Sequence, residues 1–138
     1  MAEPEVVPLQ EALARVGDRW TLSVVEALLA GEQRYSDLAD AVPGIAPNTL
    51  AARLKQLEAD GLVVAVPYSD RPPRAAYRLT SAGGELGEVV RLLAQWGARR
   101  SGGAEPLRHD VCGSALEARW WCPTCQVDVD EAEELGFA

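Results

Sequence analysis

The chain has 138 residues, of which 48% are hydrophobic and 25% are charged, and its formal net charge is −8. This length allows one proper core with a small appendage, and these fractions are those of an ordinary soluble globular protein. The longest strongly apolar run, residues 62–66, is too short to cross a bilayer, and the acidic start MAEPEVVP has no apolar stretch typical of a secretory signal. We therefore expect a cytoplasmic protein with no membrane partner.

The negative charge is concentrated at the two ends of the chain. Residues 1–30 carry two basic and five acidic side chains, and residues 109–138 carry one basic and seven acidic side chains. Residues 31–80 carry six of each kind. Because those six cations could form one patch, the overall charge does not exclude a nucleic-acid ligand.

Helical periodicity dominates the first sixty residues. A first amphipathic helix is predicted from the spacing of four apolar residues, Leu9, Leu13, Val16 and Trp20. Three further helices are predicted over residues 20–30, from the N-cap Ser36 to about residue 42, and from Pro47 to about residue 60.

Beyond Gly61 the apolar period changes from helical to alternating, which predicts two β-strands. The residues expected to point to one side of these strands are Leu62, Val64, Val66, Tyr68, Tyr77 and Leu79. The intervening SDRPPR segment marks a loop or a sheet edge, because proline donates no ladder hydrogen bond.

Thr80 can cap a last long helix over residues 81–100, whose apolar stripe consists of Leu86, Val89, Val90, Leu93 and Trp96. The RRSGGAEP segment at 99–106 has the composition of a linker. We therefore predict a first domain over residues 1–103, a small module over 107–130 and an acidic tail over 131–138.

Three helices followed by a hairpin with a basic tip have the order of a winged helix-turn-helix, and the helix beginning at Pro47 is suited to DNA. Leu50, Leu54 and Leu57 recur at i, i+4 and i+7 and place one face of this helix in the core. The opposite face and its flank carry polar, basic or small residues, namely Asn48, Thr49, Ala52, Arg53, Lys55 and Gln56. Such a face suits base edges and phosphates in a major groove, and a merely solvated helix face is the alternative.

The hairpin tip is a second DNA-contacting candidate. Arg71 and Arg74 flank two prolines, which stiffen the loop and present both guanidinium groups outward. The two arginines could contact backbone phosphates or enter a minor groove, and two solvated side chains are the alternative. Their position one hairpin after a polar-faced helix favours the DNA contact.

Further landmarks extend this pattern over residues 17–86 and beyond. They are Gly17 to Trp20, Arg34-Tyr35-Ser36, Leu38, Pro43-Gly44-Ile45, Asn48 to Leu50, Arg53-Leu54, Leu57-Glu58, Gly61-Leu62-Val63, Arg71 to Arg74, Tyr77 to Thr80 and Trp96-Gly97. By these landmarks the chain closely resembles the HxlR-type winged-helix transcriptional regulators, relatives of the MarR group.

The resemblance implies a mainly α fold with a small β-hairpin (a winged helix-turn-helix), in which the recognition helix begins near Pro47 and Arg71 to Arg74 form the wing tip. The predicted DNA-contacting residues are Arg34, Ser36, Asn48, Thr49, Ala52, Arg53, Lys55, Gln56, Arg71 and Arg74.

The resemblance also implies a homodimer, formed largely by the N-terminal helix and the helix at 81–100. The stripe of this last helix gives a physical reason, because we expect a core this small to leave Leu93 and Trp96 partly uncovered. A two-fold interface would bury them and place two recognition helices about one duplex turn apart. The alternative is that Trp96 packs against the core of its own chain.

One position departs from the redox-sensing members of this family, which have a cysteine followed by proline just before the first helix. Val7, followed by Pro8, occupies that position here. Thiol sensing by that route is therefore excluded, and only Cys112, Cys122 and Cys125 could respond to oxidants.

The only histidine and all three cysteines lie within HDVCGSALEARWWCPTC, at the spacing His109-x2-Cys112-x9-Cys122-x2-Cys125. Four such ligands without a carboxylate favour one tetrahedral, structural zinc ion per chain. The LEARWW and QVDVD segments could then be the strands of a short C-terminal β zinc ribbon. Three alternatives are a thioredoxin-like pair of Cys122 and Cys125, inert buried cysteines, and an incomplete fourth ligand, since His109 directly follows the linker.

The sequence therefore predicts a regulator of transcription that binds double-stranded DNA as a homodimer. The acidic charge over residues 109–138 disfavours DNA contact by the metal module and favours a structural or protein-contacting role for it. The alternative function is a protein-interaction adaptor, or a zinc- or redox-responsive regulator in which the module is the functional site. An enzyme is disfavoured and no catalytic residue is predicted, because the only histidine is at metal-ligand spacing.

Overall fold

The structure, a computed structural model, describes residues 6–103 and 105–130, so the acidic tail predicted over 131–138 lies outside the described residues. The chain forms two compact units that divide between Val90 and Arg91. The helices of the described residues are α1 (Pro8–Val16), α2 (Thr21–Leu29), α3 (Tyr35–Ala41), α4 (Pro47–Ala59), α5 (Ser81–Gly84) and α6 (Leu86–Arg100). The strands are β1 (Gln33–Arg34), β2 (Val63–Asp70), β3 (Pro73–Leu79), β4 (Trp120–Cys122) and β5 (Val127–Val129). None of these helices is long and apolar enough to span a membrane.

The early helices begin and end close to the predicted positions, with two corrections. α1 ends at Val16, so Trp20 lies outside it and directly precedes α2. Ser36 lies inside α3, and the N-cap residue is Arg34, whose backbone N–H donates to Asp37 Oδ2 at 3.1 Å. The prediction of a Ser36 cap is therefore wrong, because the carboxylate of Asp37 satisfies the donor at this helix start.

The core of the first unit forms where α2, α3, α4 and β2 meet. Leu50, Leu54 and Leu57 of α4 are fully buried, which confirms the predicted core face of this helix. The other members of the buried cluster are Val24, Val25, Leu28, Leu38, Val42, Val63 and Val90. Because these side chains surround the three leucines, packing determines the rotation of α4 about its own axis.

The sheet of the first unit corrects one expectation about the hairpin. β3 lies between β1 and β2, and both pairings are antiparallel. Val63 is buried and pairs with Leu79, whereas Val64 is exposed and pairs with Arg78. The prediction that Val64 and Leu79 share one face is therefore wrong, because the preceding residue, Val63, is the one that pairs with Leu79. β2 begins with two valines, so alternation alone does not select which of them faces the core.

The last predicted helix is divided into α5 and α6 by a turn at Glu85. Thr80 caps α5 as predicted, because its Oγ1 accepts a hydrogen bond from the N–H of Gly83 at 3.1 Å and donates one to the carbonyl oxygen of Gly61 at 2.7 Å. Gly83 is buried, and a Cβ at this position would overlap the carbonyl oxygen of Leu62. The lack of a side chain on Gly83 therefore lets α5 pack directly on the backbone just before β2.

The second unit contains the C-terminal part of α6 and two short hairpins. In the first hairpin, the N–H of Leu116 donates to Leu107 O at 2.7 Å and the N–H of His109 donates to Ser114 O at 2.9 Å. The second hairpin is the antiparallel pair β4–β5, which confirms a strand inside the predicted QVDVD segment, whereas β4 overlaps only the end of the predicted LEARWW segment and continues to Cys122. The side-chain amide of Gln95 in α6 donates to Leu116 O at 3.1 Å. The division between the units accordingly lies within α6, whereas the linker predicted from composition is at 99–106.

Asp18 connects the start of α2 to α4. Its Oδ1 accepts hydrogen bonds from the backbone N–H groups of Trp20 and Thr21 at 2.9 and 3.1 Å, and its Oδ2 accepts one from the hydroxyl of Thr21. Arg53 Nη1 lies 3.4 Å from the same Oδ2. Partial burial opposes ionisation of this carboxyl, but the hydrogen bonds and Arg53 outweigh it and lower the pKa of Asp18 below the ordinary value of 3.8.

We expect Asp18→Ala to lower the free energy of unfolding by about 1 kcal/mol at neutral pH, because α2 loses the acceptor at its N-terminus. The stabilisation by the ionised carboxylate is present above the ordinary pKa of 3.8 and is lost as the pH falls through the lower pKa of the folded state. The difference between the wild type and the variant should therefore shrink in acid. Urea unfolding at about pH 7 and about pH 3 measures both effects.

Asp40→Ala is the control for this experiment, because Asp40 is an exposed carboxylate of α3. A comparable loss of stability in Asp40→Ala, or a loss in Asp18→Ala that persists unchanged in acid, would contradict the capping role of Asp18.

Candidate functional site

Five of the predicted DNA-contacting residues lie on the outer side of α4. Asn48, Ala52, Lys55 and Gln56 are exposed, and Thr49 on the flank is half-buried. They lie opposite the three buried leucines, as helical spacing predicts. α4 therefore presents two amides, one cation and a small residue to solvent, and the contact of these residues with DNA stays a prediction.

The start of α4 is held by a hydrogen bond from α3. Tyr35 Oη donates to the carbonyl oxygen of Pro47, the first residue of α4, at 2.6 Å. The N–H groups of Asn48 and Thr49, in the first turn, have no acceptor within the helix. The hydrogen bond therefore sets where this open turn lies relative to α3. Tyr35 is among the family landmarks, but a pairing of residues 12 positions apart leaves no signal in the periodicity.

Arg34 and Ser36 lie where β1 meets α3. The guanidinium of Arg34 stacks on the ring of Tyr68 in β2, with Cζ 4.4 Å from the ring centroid. Ser36 is exposed in the first turn of α3. The stacking holds the Arg34 cation against the exposed ring of Tyr68, a contact that the sequence does not predict.

The turn between β2 and β3 carries the two remaining candidates. The strands pair as far as Asp70 and Pro73, so Arg71 lies in a two-residue turn with Pro72, and Arg74 is the second residue of β3. Arg71 and Arg74 are both exposed, and among the ion pairs of the described residues neither of them takes part. Two exposed arginine cations without an ion pair among the described residues therefore lie at this hairpin turn, accessible to a phosphate.

Arg53 differs from the other predicted contacts because it is already engaged within the chain. It pairs with Asp18, its side chain is 32% exposed, and its Nε is buried with no hydrogen-bond partner in the described part of the chain. This ion pair competes with the predicted DNA contact of Arg53, which stays a prediction. Asp18 is not among the residues predicted from the sequence, although an aspartate just ahead of a predicted helix is an N-cap signal.

The predicted metal ligands form two pairs, one at the turn of each hairpin in the second unit. His109 Nδ1 lies 3.4 Å from Cys112 Sγ, and the N–H of Cys125 donates to Cys122 Sγ at 3.5 Å. Over residues 6–103 and 105–130, no group of three or more His, Cys, Asp or Glu side chains is arranged to hold a metal ion. The structure therefore brings together the members of each pair, and the four-ligand site stays a prediction.

Hydrogen bonds lower the pKa of the Cys112 thiol from 9.0 to about 7. The hydroxyl and the backbone N–H of Ser114 are the main causes, and His109 adds to their effect. These hydrogen bonds therefore favour the thiolate form of Cys112, which is the form that binds metals.

Comparison with known proteins identifies relatives of both the first unit and the whole chain. The model of the HxlR-like helix-turn-helix family matches residues 15–103. The HTH-type transcriptional regulator Rv3095 of Mycobacterium tuberculosis is 39% identical over 122 residues, which are 86% of this chain and 77% of that protein.

Two solved structures are similar to different extents of the chain. The reduced form of the redox regulator HypR is similar over 70% of this chain and 95% of its own, with 28% identity and a TM-score of 0.65. A Pseudomonas aeruginosa structure described as a transcription factor is similar over 96% of this chain and 92% of its own, with 27% identity and a TM-score of 0.72. This second similarity therefore extends well beyond residue 103.

Tyr35→Phe removes the hydrogen bond to Pro47 and keeps the ring, so we expect it to destabilise the first turn of α4 by about 1 kcal/mol. Amide hydrogen exchange followed by NMR should become faster at Leu50 and Ala51, with little change in the core of α2. Tyr68→Phe is the control, because the contact of Tyr68 is made by its ring. Exchange rates in Tyr35→Phe equal to those of the wild type would show that this hydrogen bond does not hold the helix start.

Proposed function

The chain belongs to the HxlR-like helix-turn-helix family of transcriptional regulators, and we propose that it acts as a homodimer on specific sites in double-stranded DNA. In this proposal α4 is the recognition helix in the major groove. The wing, which consists of β2, β3 and their turn, contacts the phosphate backbone or the minor groove. We place this activity in the cytoplasm, because that is where the DNA lies in the bacteria from which the related transcriptional regulators come. Those relatives are named as transcriptional regulators, in agreement with the expectation that the chain is not an enzyme.

The observation that carries the proposal is the division of α4 into a buried face and a polar face. Burial of the leucines leaves Asn48, Lys55 and Gln56 directed to solvent. Amides suit the donor and acceptor pattern of base edges, and the lysine suits phosphates or guanine. The small side chain of Ala52 lets the helix approach the groove closely.

The charge of the first unit supports a contact by the wing. Arg71 and Arg74 make no ion pair within the described residues, and Arg34 is held on the ring of Tyr68. These cations come from the central part of the chain, in which positive and negative charges balance. The net charge of −8 therefore does not oppose binding at this surface, because the excess of acidic residues lies at the two ends of the chain.

Exposed apolar helix faces support the homodimer. In α1, Leu9 and Leu13 are 62% and 48% exposed, and in α6, Leu93 and Trp96 are 49% and 53% exposed. The alternative would require Trp96 to be buried in the core of its own chain, and it is not. Burial of such residues against a second copy is favourable by about 25 cal/mol per Å² of apolar surface, and a two-fold axis would present two recognition helices to neighbouring half-sites.

The proposed function does not include a thiol switch ahead of α1. HypR is a redox regulator, but Val7 is the N-cap residue of α1 in this chain and Pro8 is its first helical residue. The cysteines of the chain lie instead in the second unit, where each belongs to a pair of potential metal ligands.

We expect Arg71→Ala and Arg74→Ala each to weaken DNA binding and to reduce the slope of log affinity against log salt by about one per lost phosphate contact. The DNA is first selected by the wild-type protein from a library of random duplexes. Fluorescence anisotropy at a series of salt concentrations then gives the affinity and the slope.

Arg119→Ala is the matched control, because it also removes one positive charge but its guanidinium is already paired with Glu117 and Asp128. Unchanged affinity and slope in both wing variants would contradict the wing assignment. Selection that enriches no DNA site would instead favour the protein-interaction adaptor.

We expect Leu93→Glu to convert the dimer to a monomer, because it places a charge in the proposed apolar interface. Light scattering coupled to gel filtration measures the mass directly. Arg91→Glu is the matched control, because position 91 lies about 200° from position 93 around α6. A Leu93→Glu protein that stays dimeric at the concentrations where the wild type is dimeric would rule out this interface.

A further inference from the structure

We propose that the second unit contains a zinc site in which His109, Cys112, Cys122 and Cys125 bind one ion in a tetrahedral arrangement. The observation that carries it is a pair of hairpin turns, each of which presents two of the four ligands. None of these ligands belongs to the predicted DNA-contacting residues, so the site stands or falls separately from the function proposed above.

The two turns have the same backbone arrangement although their sequences differ. In each turn the ligands are three residues apart, and the residue after the second ligand is left-handed, Gly113 at φ 72° and Gln126 at φ 56°. The N–H of that residue donates to the carbonyl oxygen of the first ligand, from Gly113 to His109 at 2.7 Å and from Gln126 to Cys122 at 2.8 Å. The chain therefore folds back at both turns and brings the two ligands of each pair together.

In the second turn, Gln126 has a backbone conformation that is energetically unfavourable for a residue with a side chain. It is the only residue other than glycine with a positive φ in the described parts of the chain. A side chain with a Cβ disfavours this conformation, which persists where surrounding interactions determine it. In this turn those interactions include the hydrogen bond from Cys125 N–H to Cys122 Sγ.

The separation within the first pair fits a shared zinc ion. With bonds of about 2.05 Å to nitrogen and about 2.3 Å to sulfur, a tetrahedral angle places two such ligands about 3.6 Å apart. His109 Nδ1 and Cys112 Sγ are 3.4 Å apart. The first pair is therefore close to its liganded separation, and binding of one ion by all four residues requires the two turns to approach each other.

The sulfur atoms have the supporting hydrogen bonds that zinc thiolates use. The hydroxyl and the backbone N–H of Ser114 donate to Cys112, and the N–H of Cys125 donates to Cys122. Such donors orient the ligands and offset the negative charge that three thiolates bring to one ion. Ser114 also accepts the hydrogen bond from the N–H of His109, so it positions both ligands of the first turn.

The hairpins need a source of stability other than an apolar core. Among the described residues from 105 to 130 none is buried, and only Cys122 and Val129 are half-buried. Segments this small are stabilised by disulfides, by metals or by partners, and no disulfide joins the three cysteines. Zinc would link the two hairpins at their turns and supply the folding free energy that burial does not.

The arrangement around Cys122 and Cys125 disfavours the redox-pair alternative. A thioredoxin-like motif lies at the start of a helix, which lowers the pKa of its first thiol. Here β5 begins at Val127, two residues after Cys125, and pairs with β4. The ligand set also disfavours calcium and magnesium, because these hard cations require oxygen ligands.

The test measures zinc and iron in the full-length protein, purified under reducing conditions without chelator, by elemental analysis. We expect one zinc per chain in the wild type and loss of the zinc in His109→Ala and in Cys122→Ser. The matched controls are Val111→Ala and Thr124→Ala, which change positions between the ligands of each pair and should keep one zinc. Ser114→Ala should also keep the zinc, with an affinity about 10- to 100-fold weaker, as expected for a residue that supports ligands.

A second measurement on the wild type does not depend on how the variants fold. Cobalt that replaces zinc should give the visible absorption of a tetrahedral site together with a thiolate charge-transfer band. A reduced wild-type protein that retains no metal after incubation with zinc, that contains iron in place of zinc, or that gives an octahedral cobalt spectrum would overturn the proposal. Retention of zinc by both His109→Ala and Cys122→Ser would also overturn it. None of these outcomes alters the measurements on the two wing variants, because Arg71 and Arg74 belong to the first unit.

Discussion

The burial of Leu50, Leu54 and Leu57 is the constraint on which the first unit depends. Three fully buried side chains on one side of α4 leave the helix a single rotation about its axis, and thereby determine which residues face solvent. Two polar contacts act on the same helix, the hydrogen bond from Tyr35 at its start and the ion pair of Arg53 with Asp18 in its middle. These contacts therefore hold α4 in one orientation within the first unit.

The helical part of this arrangement could be predicted from the sequence, whereas parts of the hairpin could not. A period of 3.6 residues has one apolar side, so the buried leucines and the exposed Asn48 and Gln56 followed from spacing alone. β2 has apolar residues in both phases of its alternation, and only pairing with β3 shows that Val63 is the buried valine. The engagement of Arg53 with Asp18 joins residues far apart in the chain, which no local pattern reports.

The second unit differs from the first in which of its features could be predicted from the sequence. Its two strands, and the local pairing of His109 with Cys112 and of Cys122 with Cys125, could be predicted in outline from the alternating segments and the residue spacing. How the two turns approach each other could not, because the described residues 105–130 contain no buried core that would determine it. Its acidic residues also distinguish it from residues 31–80, which carry six cations, so phosphate contacts are proposed for one part of the chain and zinc binding for the other.

The contact at Gly83 joins α5 directly to the backbone at the start of β2. The backbone of α5 lies directly against the carbonyl oxygen of Leu62, and the N–H of Thr80 donates to that same oxygen at 3.0 Å. Main-chain atoms have no rotamers with which to absorb a displacement, so a side chain at position 83 would have to shift either α5 or the backbone just before β2. β2 is eight residues long, about 26 Å, and Arg71 follows its far end. The Gly83 contact and the arginine turn therefore lie at opposite ends of the same strand.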